Sequence, residues 1–423
     1  MAGLTTAPRS NPWLVLAILL IIYIFNFADR YLITGLVGPI KTEFDVGDGT
    51  MGLLMGPAFV LLYVVLGVPF ARLADRGSRV KIIALGCIFW SAATVATGFA
   101  SSIEELALAR IAVGIGEAAF VAPAYSLLTD YFRLERRGIA FAILGLATYF
   151  GQIAGQAVGP ALAAAFENWR MAFILMGSPG IFLGILALLL ISEPGRGDEA
   201  TDNTTPTVSF GALLGLLLGN RAYILMAIGF ALGALSGVSF AYWAPELLTR
   251  THGLNPVTVK SSFAFFFGLS GLCGMLAFGF LSDRLAPRGT NWPTRLSAIA
   301  LAAATLSILS VVWAGSFSVA MALAIPCGLL GGGWTVGIFS TLQYMLPASI
   351  RASSTALFIA FITLAGYFVG PWLTGSLSEA FGDSARSLQI ALSIVIPLGI
   401  VGALSTWLAS RHVELGRAQL ANI

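Results

Sequence analysis

Twelve runs of apolar residues, each about as long as the roughly 20 residues a helix needs to cross a hydrocarbon core, decide what this chain can fold into. They begin near Trp13, Thr50, Val80, Ile103, Arg137, Trp169, Arg221, Val257, Trp292, Phe317, Arg351 and Ala385. No water is available in that core to satisfy a backbone amide, so an open chain crosses it only as helices. Composition closes the soluble alternative: 57% hydrophobic residues, 10% charged residues and a mean hydropathy of +0.89 leave too little polar surface for a globule. The expected fold class is an all-α membrane protein of twelve transmembrane helices. The first run carries Asp29-Arg30 and shows no small-residue cleavage site behind a short apolar core, so it reads as a span and not as a cleaved signal.

Loop charge gives the expected orientation. With both termini on one face, that face collects Arg9, Arg72 through Lys81, Arg133, Arg136, Arg137, Arg196, Arg221, Arg284, Arg288, Arg295, Arg351, Arg411 and Arg417. The other face holds Lys41, Arg170, Arg250, Lys260 and Arg386. Cytoplasmic loops carry the excess of Lys and Arg, so both termini are expected to be cytoplasmic. Cys87, Cys273 and Cys327 fall within spans without ligand spacing, which indicates packing and neither a disulfide framework nor a metal site.

The chain repeats itself. Leu73-Ala-Asp-Arg76 after span 2 returns as Leu281-Ser-Asp-Arg284 after span 8, an offset of 283 − 75 = 208 positions. Gly155-x-x-x-Gly-Pro160 in span 5 returns as Gly366-x-x-x-Gly-Pro371 in span 11, offset by 371 − 160 = 211. Both copies lie at matching depth on the same side, which makes the halves parallel repeats. The expected organisation is a six-helix bundle over 1–191, a cytoplasmic linker over 192–220 and a second six-helix bundle over 221–423. Within the linker, Thr207 to Leu218 is apolar enough to lie along the membrane surface.

Four charges interrupt the spans: Asp29 and Arg30 in the first, Arg110 and Glu117 in the fourth. A charge at the centre of a spanning helix costs about 2.5–3.5 kcal/mol even on the lenient insertion scale, so an intramembrane charge is by default a functional site. A static ion network that merely fixes the two helices is the plainer explanation. At 1.5 Å per residue Asp29 lies roughly 24 Å from the cytoplasmic start of its helix and Arg110 about 10 Å from the outer end of its own. In a core about 30 Å thick those depths nearly coincide, so Asp29 and Arg110 are the expected partners. Glu117 sits roughly 10 Å deeper, nearer the midplane. Burial there favours its neutral form and a nearby guanidinium its charged form, so access to water tips the balance. That is what proton coupling requires of Glu117, with Asp29 beside it. Arg30 and Arg110 stay charged and offer a fork of donors to a phosphate or carboxylate head.

Leu73-Ala-Asp-Arg76 and its copy, Arg110-x-x-x-Gly-x-Gly and the two Gly-Pro pairs together resemble the major facilitator superfamily over essentially the whole chain. Within it, Asn26-Phe-Ala-Asp-Arg30-Tyr combined with Arg110 and Glu117 is similar to the Spinster family of lysolipid and sphingolipid transporters. Anion-cation symporters for organic and sugar acids carry a similar constellation. The resemblance implies a transporter of a bacterial inner membrane that works by alternating access. It also implies a cytoplasmic gate of Asp75, Arg76 and Arg79 with Asp130, repeated at Asp283 and Arg284. Ala71 stands where the family has Gly, and Gly77-Ser78 reverses the usual order. The Gly-Pro motif in span 5 resembles that of exporters and antiporters.

The second half offers aromatics where the first offers charge. Tyr242, Trp243, Phe266, Trp334 and Tyr367 are expected to line an apolar part of the cavity, a shape suited to an amphiphile with an anionic or zwitterionic head. Gly233, Gly237, Pro245 and Gly331-Gly-Gly333 are expected bend points. No phosphate-binding Gly-x-x-x-x-Gly-Lys loop occurs, so ATP is not the direct energy source. His252 and His412 lie at loop or tail positions, which leaves no metal or triad constellation and no case for an enzyme. The expected partners are a small-molecule or lipid substrate, protons and the bilayer, with no cofactor, no nucleic acid and a monomeric state. A non-transporting sensor is the rival class, but almost no soluble domain is left to transmit a signal.

Overall fold

The computed structural model describes residues 10–194 and 209–420. Its described residues are helical without strands, and twelve helices are long and apolar enough to cross a membrane. We number them α1 (Pro12–Gly35), α2 (Asp48–Arg76), α3 (Arg79–Thr97), α4 (Ile103–Tyr131), α5 (Leu134–Ala165) and α6 (Trp169–Leu190). The second set is α7 (Arg221–His252), α8 (Pro256–Arg288), α9 (Trp292–Val312), α10 (Phe317–Met345), α11 (Ser349–Ala380) and α12 (Ala385–Ser410). Every start lies within three residues of the expected one, the largest gap being 137 − 134 = 3 at α5. Arg9, Arg196 and most of the expected linker fall outside the described residues.

Polar residues at the ends of the apolar runs set these boundaries. The side chains of Asn11, Ser78, Ser102, Asn168, Asn220, Ser316 and Ser384 each accept an amide of the first turn of the helix that follows. Such a cap satisfies a donor that the helix itself leaves open. Gly253, at φ 60°, ends α7 in the left-handed conformation that glycine adopts without strain.

The chain divides into two compact units. The first comprises residues 1–46, 57–203 and 256–261; the second comprises 47–56, 204–255 and 262–423. Helix α2 is therefore shared, and its backbone is interrupted at Gly56 just before Pro57.

In the first unit α5 contains a π-helical turn, Ala154–Val158, directly before Gly159-Pro160. Proline has no N–H and crowds the carbonyl four residues back, and a widened turn relieves that conflict. The turn presents Gly155 to α1, where a Cβ would sit 2.5 Å from the Ala28 carbonyl oxygen, so only glycine permits the approach. The second unit repeats the device in α11, with a π-helical turn at Leu364–Val369 before Gly370-Pro371. The internal repeat is thus a repeat of backbone irregularity as well as of sequence.

The second unit has an aromatic centre: Phe230 packs on Trp334 at 4.6 Å, Phe339 at 5.3 Å and Phe358 at 5.7 Å. Some of its glycines admit a close neighbour. Helix α10 runs unbroken through Gly331-Gly-Gly333, and a Cβ on Gly332 would meet the Gly271 carbonyl oxygen of α8 at 2.0 Å. Helix α7 likewise continues through Gly233, Gly237 and Pro245. Close contact with a neighbour accounts for Gly233 and Gly332, whereas a Cβ on Gly237 or Gly331 would meet nothing within 4 Å. Before α7, Phe210–Gly219 forms a short helix that buries Leu213 and Leu217 against this core.

Candidate functional site

The stretch Arg110-Ile-Ala-Val-Gly-Ile-Gly-Glu117 on α4 ties together three other helices of the first unit's polar centre, its two charged ends reaching α1 and its glycines admitting α2 and α3. Arg110 reaches α1, donating from Nη1 to the Asp29 carbonyl oxygen at 3.3 Å. Gly114 admits α2: a Cβ there would lie 2.2 Å from the Phe59 carbonyl oxygen. Gly116 admits α3, where a Cβ would fall 2.8 Å from the Trp90 amide nitrogen. Glu117 accepts at Oε2 from Arg30 Nε of α1 at 2.7 Å. The α4 backbone tightens immediately afterwards, since the amides of Ala119 and Phe120 turn to carbonyls three residues back before Val121 resumes the helix. Pro123 has no amide to continue the ladder there, which is the usual cause of such a break.

The close approach of α2 has an electrostatic result. Phe59 lies 4.9 Å below the Arg30 guanidinium and 5.4 Å below that of Arg110, and Tyr63 and Phe27 face Arg30 at 4.6 Å and 5.1 Å. Arg30 also donates from Nη2 to Asn26 Oδ1 at 3.2 Å. An aromatic face stabilises a desolvated cation by about 2 kcal/mol. Asp29 turns its side chain to α3 and accepts at Oδ2 from Thr94 Oγ1 at 3.0 Å. All four ionisable groups are buried. Asp29 Oδ1, Glu117 Oε1 and Asn26 Nδ2 have no hydrogen-bond partner among the described residues.

The expected Asp29–Arg110 association is therefore present, but through the main chain, and the carboxylate that receives a guanidinium is Glu117. Arg30, which depth along the helix left without a partner, supplies it. With all four groups ionised the charges cancel, so one proton or one anionic group is the smallest change that unbalances the site.

At the end of the first unit that carries the Arg72–Lys81 loop, Arg79 bonds Asp130 of α4, as the resemblance implies, and also Glu193 Oε1 at 2.8 Å. Glu193 in turn accepts from the Val80 amide at 2.9 Å and Ser78 Oγ at 2.8 Å. Burial works against its charged form, but the Val80 amide, the Arg79 guanidinium and the Ser78 hydroxyl outweigh burial and hold that carboxyl below its ordinary range. Sequence reasoning placed Glu193 in the linker; its position directly after an apolar run, on the face where Arg79 opens α3, was the available signal. Asp75, Arg76, Asp283 and Arg284 are exposed and form no ion pair among the described residues.

In the second unit, Trp243 is fully buried and donates from Nε1 to the Pro371 carbonyl oxygen at 3.0 Å, while Trp334 belongs to the aromatic core. Tyr242 is buried edge-on to the less buried Tyr367 at 6.1 Å, and Phe266 is 39% exposed. Outside the buried quartet, Glu246 and Lys260 are 4% and 2% exposed near the end of α7 and the start of α8. Arg250 pairs with both carboxylate oxygens of buried Asp48 at 2.8 Å each and with Glu246 at 2.9 Å. Lys260 donates to the Gly35 carbonyl oxygen at 2.9 Å, at the negative end of α1.

Comparison with known proteins agrees with this architecture. The Major Facilitator Superfamily model matches residues 19–371. An MFS-type efflux pump of Mycolicibacterium smegmatis is 30% identical over 414 residues, covering 96% of this chain and 94% of that protein. Protein spinster homolog 1 of Bos taurus is 29% identical over 436 residues, covering 96% of this chain and 82% of the relative. Among solved structures, a bacterial homologue of the human lysosomal transporter Spinster, in an inward-facing and unoccupied conformation, superposes with a TM-score of 0.87 at 26% identity. That match covers 96% of this chain and 98% of the other. The nucleoside transporter NupG, at 16% identity and a TM-score of 0.74, shares the fold. The chain belongs to the major facilitator superfamily, and within it is similar to Spinster proteins: it is a multi-pass membrane transporter that works by alternating access, and not an enzyme.

Proposed function

We propose that this transporter couples proton movement to the passage of an amphiphile with an anionic or zwitterionic head, a lysolipid or sphingolipid-like molecule. The observation that carries the proposal is the buried Arg30–Glu117 pair at 2.7 Å within a charge-balanced quartet. When Glu117 takes a proton, Arg30 loses its counter-charge and its fork becomes available to a phosphate or carboxylate head. When the head leaves, Arg30 returns to Glu117, and the proton departs to whichever side is open. Asp29 is the second carrier and Arg110 the second cation. Tyr242, Trp243, Phe266, Trp334 and Tyr367 are proposed to shape the apolar part of the path, with Tyr367 and Phe266 the more accessible of them.

The moving bodies in this reading are residues 1–191 and 221–423, joined by the 192–220 linker. In this reading Asp75, Arg76, Arg79 and Asp130 serve as the cytoplasmic gate residues of the first unit, and Asp283 and Arg284 as those of the second. The protein works as a monomer in a bacterial inner membrane with both termini in the cytoplasm, the face on which its loop arginines concentrate.

Purified protein in proteoliposomes under an imposed pH gradient tests this. Gradient-dependent movement of a fluorescent lysophospholipid supports the proposal. Movement of a sugar acid alone would replace it with an organic-acid symporter, and movement of neither would defeat it.

A further inference from the structure

Arg295 sits in the first turn of α9 without an acid. Its guanidinium lies 5.6 Å from the ring of Trp292, three residues earlier on the same helix face, and 5.6 Å from the ring of Trp407 on α12. It forms no ion pair among the described residues, and its Nε is buried without a hydrogen-bond acceptor. Guanidinium does not shed its proton, so a buried donor with no acceptor is a standing cost. The acid carried by the C-terminal segment, Glu414, is engaged by Thr290 and Tyr344, and Tyr344 also takes Arg417. Arg411 follows Trp407 by one helical turn, is exposed, and likewise has no carboxylate partner among the described residues.

The location specifies the ligand. The start of α9 and the end of α12 lie on the same membrane face as the Arg72–Lys81 loop, since spans alternate in direction. Both tryptophans are half-buried, as expected of indoles at the boundary between acyl chains and water. A cation held between two such rings at headgroup depth, with a fork of donors directed at no acid, matches a phosphate diester. Anionic lipid headgroups bind basic pockets between membrane helices on this face.

We propose that Arg295, Trp292, Trp407 and Arg411 form a site for the headgroup of one anionic phospholipid of the surrounding leaflet. The site lies apart from the buried quartet of the first unit and is independent of the transport reading. Its occupant is a structural lipid of the bilayer and not cargo.

The test is native mass spectrometry of detergent-purified full-length protein titrated with phosphatidylglycerol. The most tightly held lipid should bind Arg295→Gln roughly tenfold more weakly than wild type, the loss of about one charge-assisted hydrogen bond. Arg295→Lys should fall between the two. Inorganic phosphate and phosphatidylcholine should fail to displace the bound lipid at equal concentration. Equal retention by wild type and Arg295→Gln would overturn the proposal, as would displacement by phosphate alone, which would make it a free-anion site. If Arg295→Gln does not fold, Trp407→Phe gives the same reading: weaker retention supports the site and unchanged retention overturns it.

Discussion

Arg110 grips α1 by the carbonyl oxygen of Asp29 at 3.3 Å and leaves that residue's carboxylate to Thr94. The two residues are joined without cancelling each other's charge through a direct side-chain pair. Asp29 is anchored and still has one buried oxygen with no partner among the described residues. Arg30 and Glu117, by contrast, form a side-chain pair that must open before either can bind anything else.

Arg30→Lys tests whether the fork matters beyond its charge. Lysine keeps the cation but cannot hold Glu117 and Asn26 with one planar group or stack on Tyr63 and Phe59 in the same way. We expect transport to fall by roughly ten- to hundredfold in kcat/KM, the loss of one charge-assisted hydrogen bond, with the protein still monodisperse on gel filtration. Unchanged transport would show that only the charge is used.

Glycine spacing on α4 is predicted to be irreplaceable where it admits a backbone. Gly114→Ala places a Cβ against the Phe59 carbonyl and should destabilise by about 1–3 kcal/mol, read as a lowered Tm in detergent. Gly145→Ala in α5 meets nothing within 4 Å and should leave Tm unchanged or raise it, because alanine is the better helix former. An equal fall in both variants would contradict the packing role assigned to Gly114.

Glu193 ties the start of α3 to the residues that follow α6, and its carboxyl is held below the ordinary range. A depressed folded-state pKa contributes stability that is present above the unfolded value and lost as pH falls through the folded one. Glu193→Gln should therefore lower Tm by about 2–4 °C at neutral pH, and the gap should close on the acid side of the carboxylate range. A gap independent of pH would mean that the side chain acts through packing alone.

The sequence made some of this legible and hid the rest for identifiable reasons. Asp29, Arg30, Arg110 and Glu117 stood out because charge inside an apolar run has no bland explanation. Their pairing did not, because depth along a helix says nothing about azimuth. Consecutive residues such as Asp29 and Arg30 point about 100° apart, so equal depth with Arg110 did not determine which side chain would face α4. The pairing of Arg250 with Asp48 and Glu246 and the burial of Lys260 were not legible, because these residues flank the apolar runs and loop charge reports only the face on which they lie. The π-helical turns before Pro160 and Pro371 were visible only as a repeated Gly-Pro; the widened backbone is a tertiary compromise between proline and a close neighbour.

The role of Glu117 as proton carrier is tested by comparing gradient-driven transport with exchange for Glu117→Gln in proteoliposomes loaded with the substrate that wild type moves. A glutamine cannot take up or release the coupling proton. Driven accumulation should disappear while exchange of internal for external substrate continues. Driven transport at the wild-type rate would contradict it.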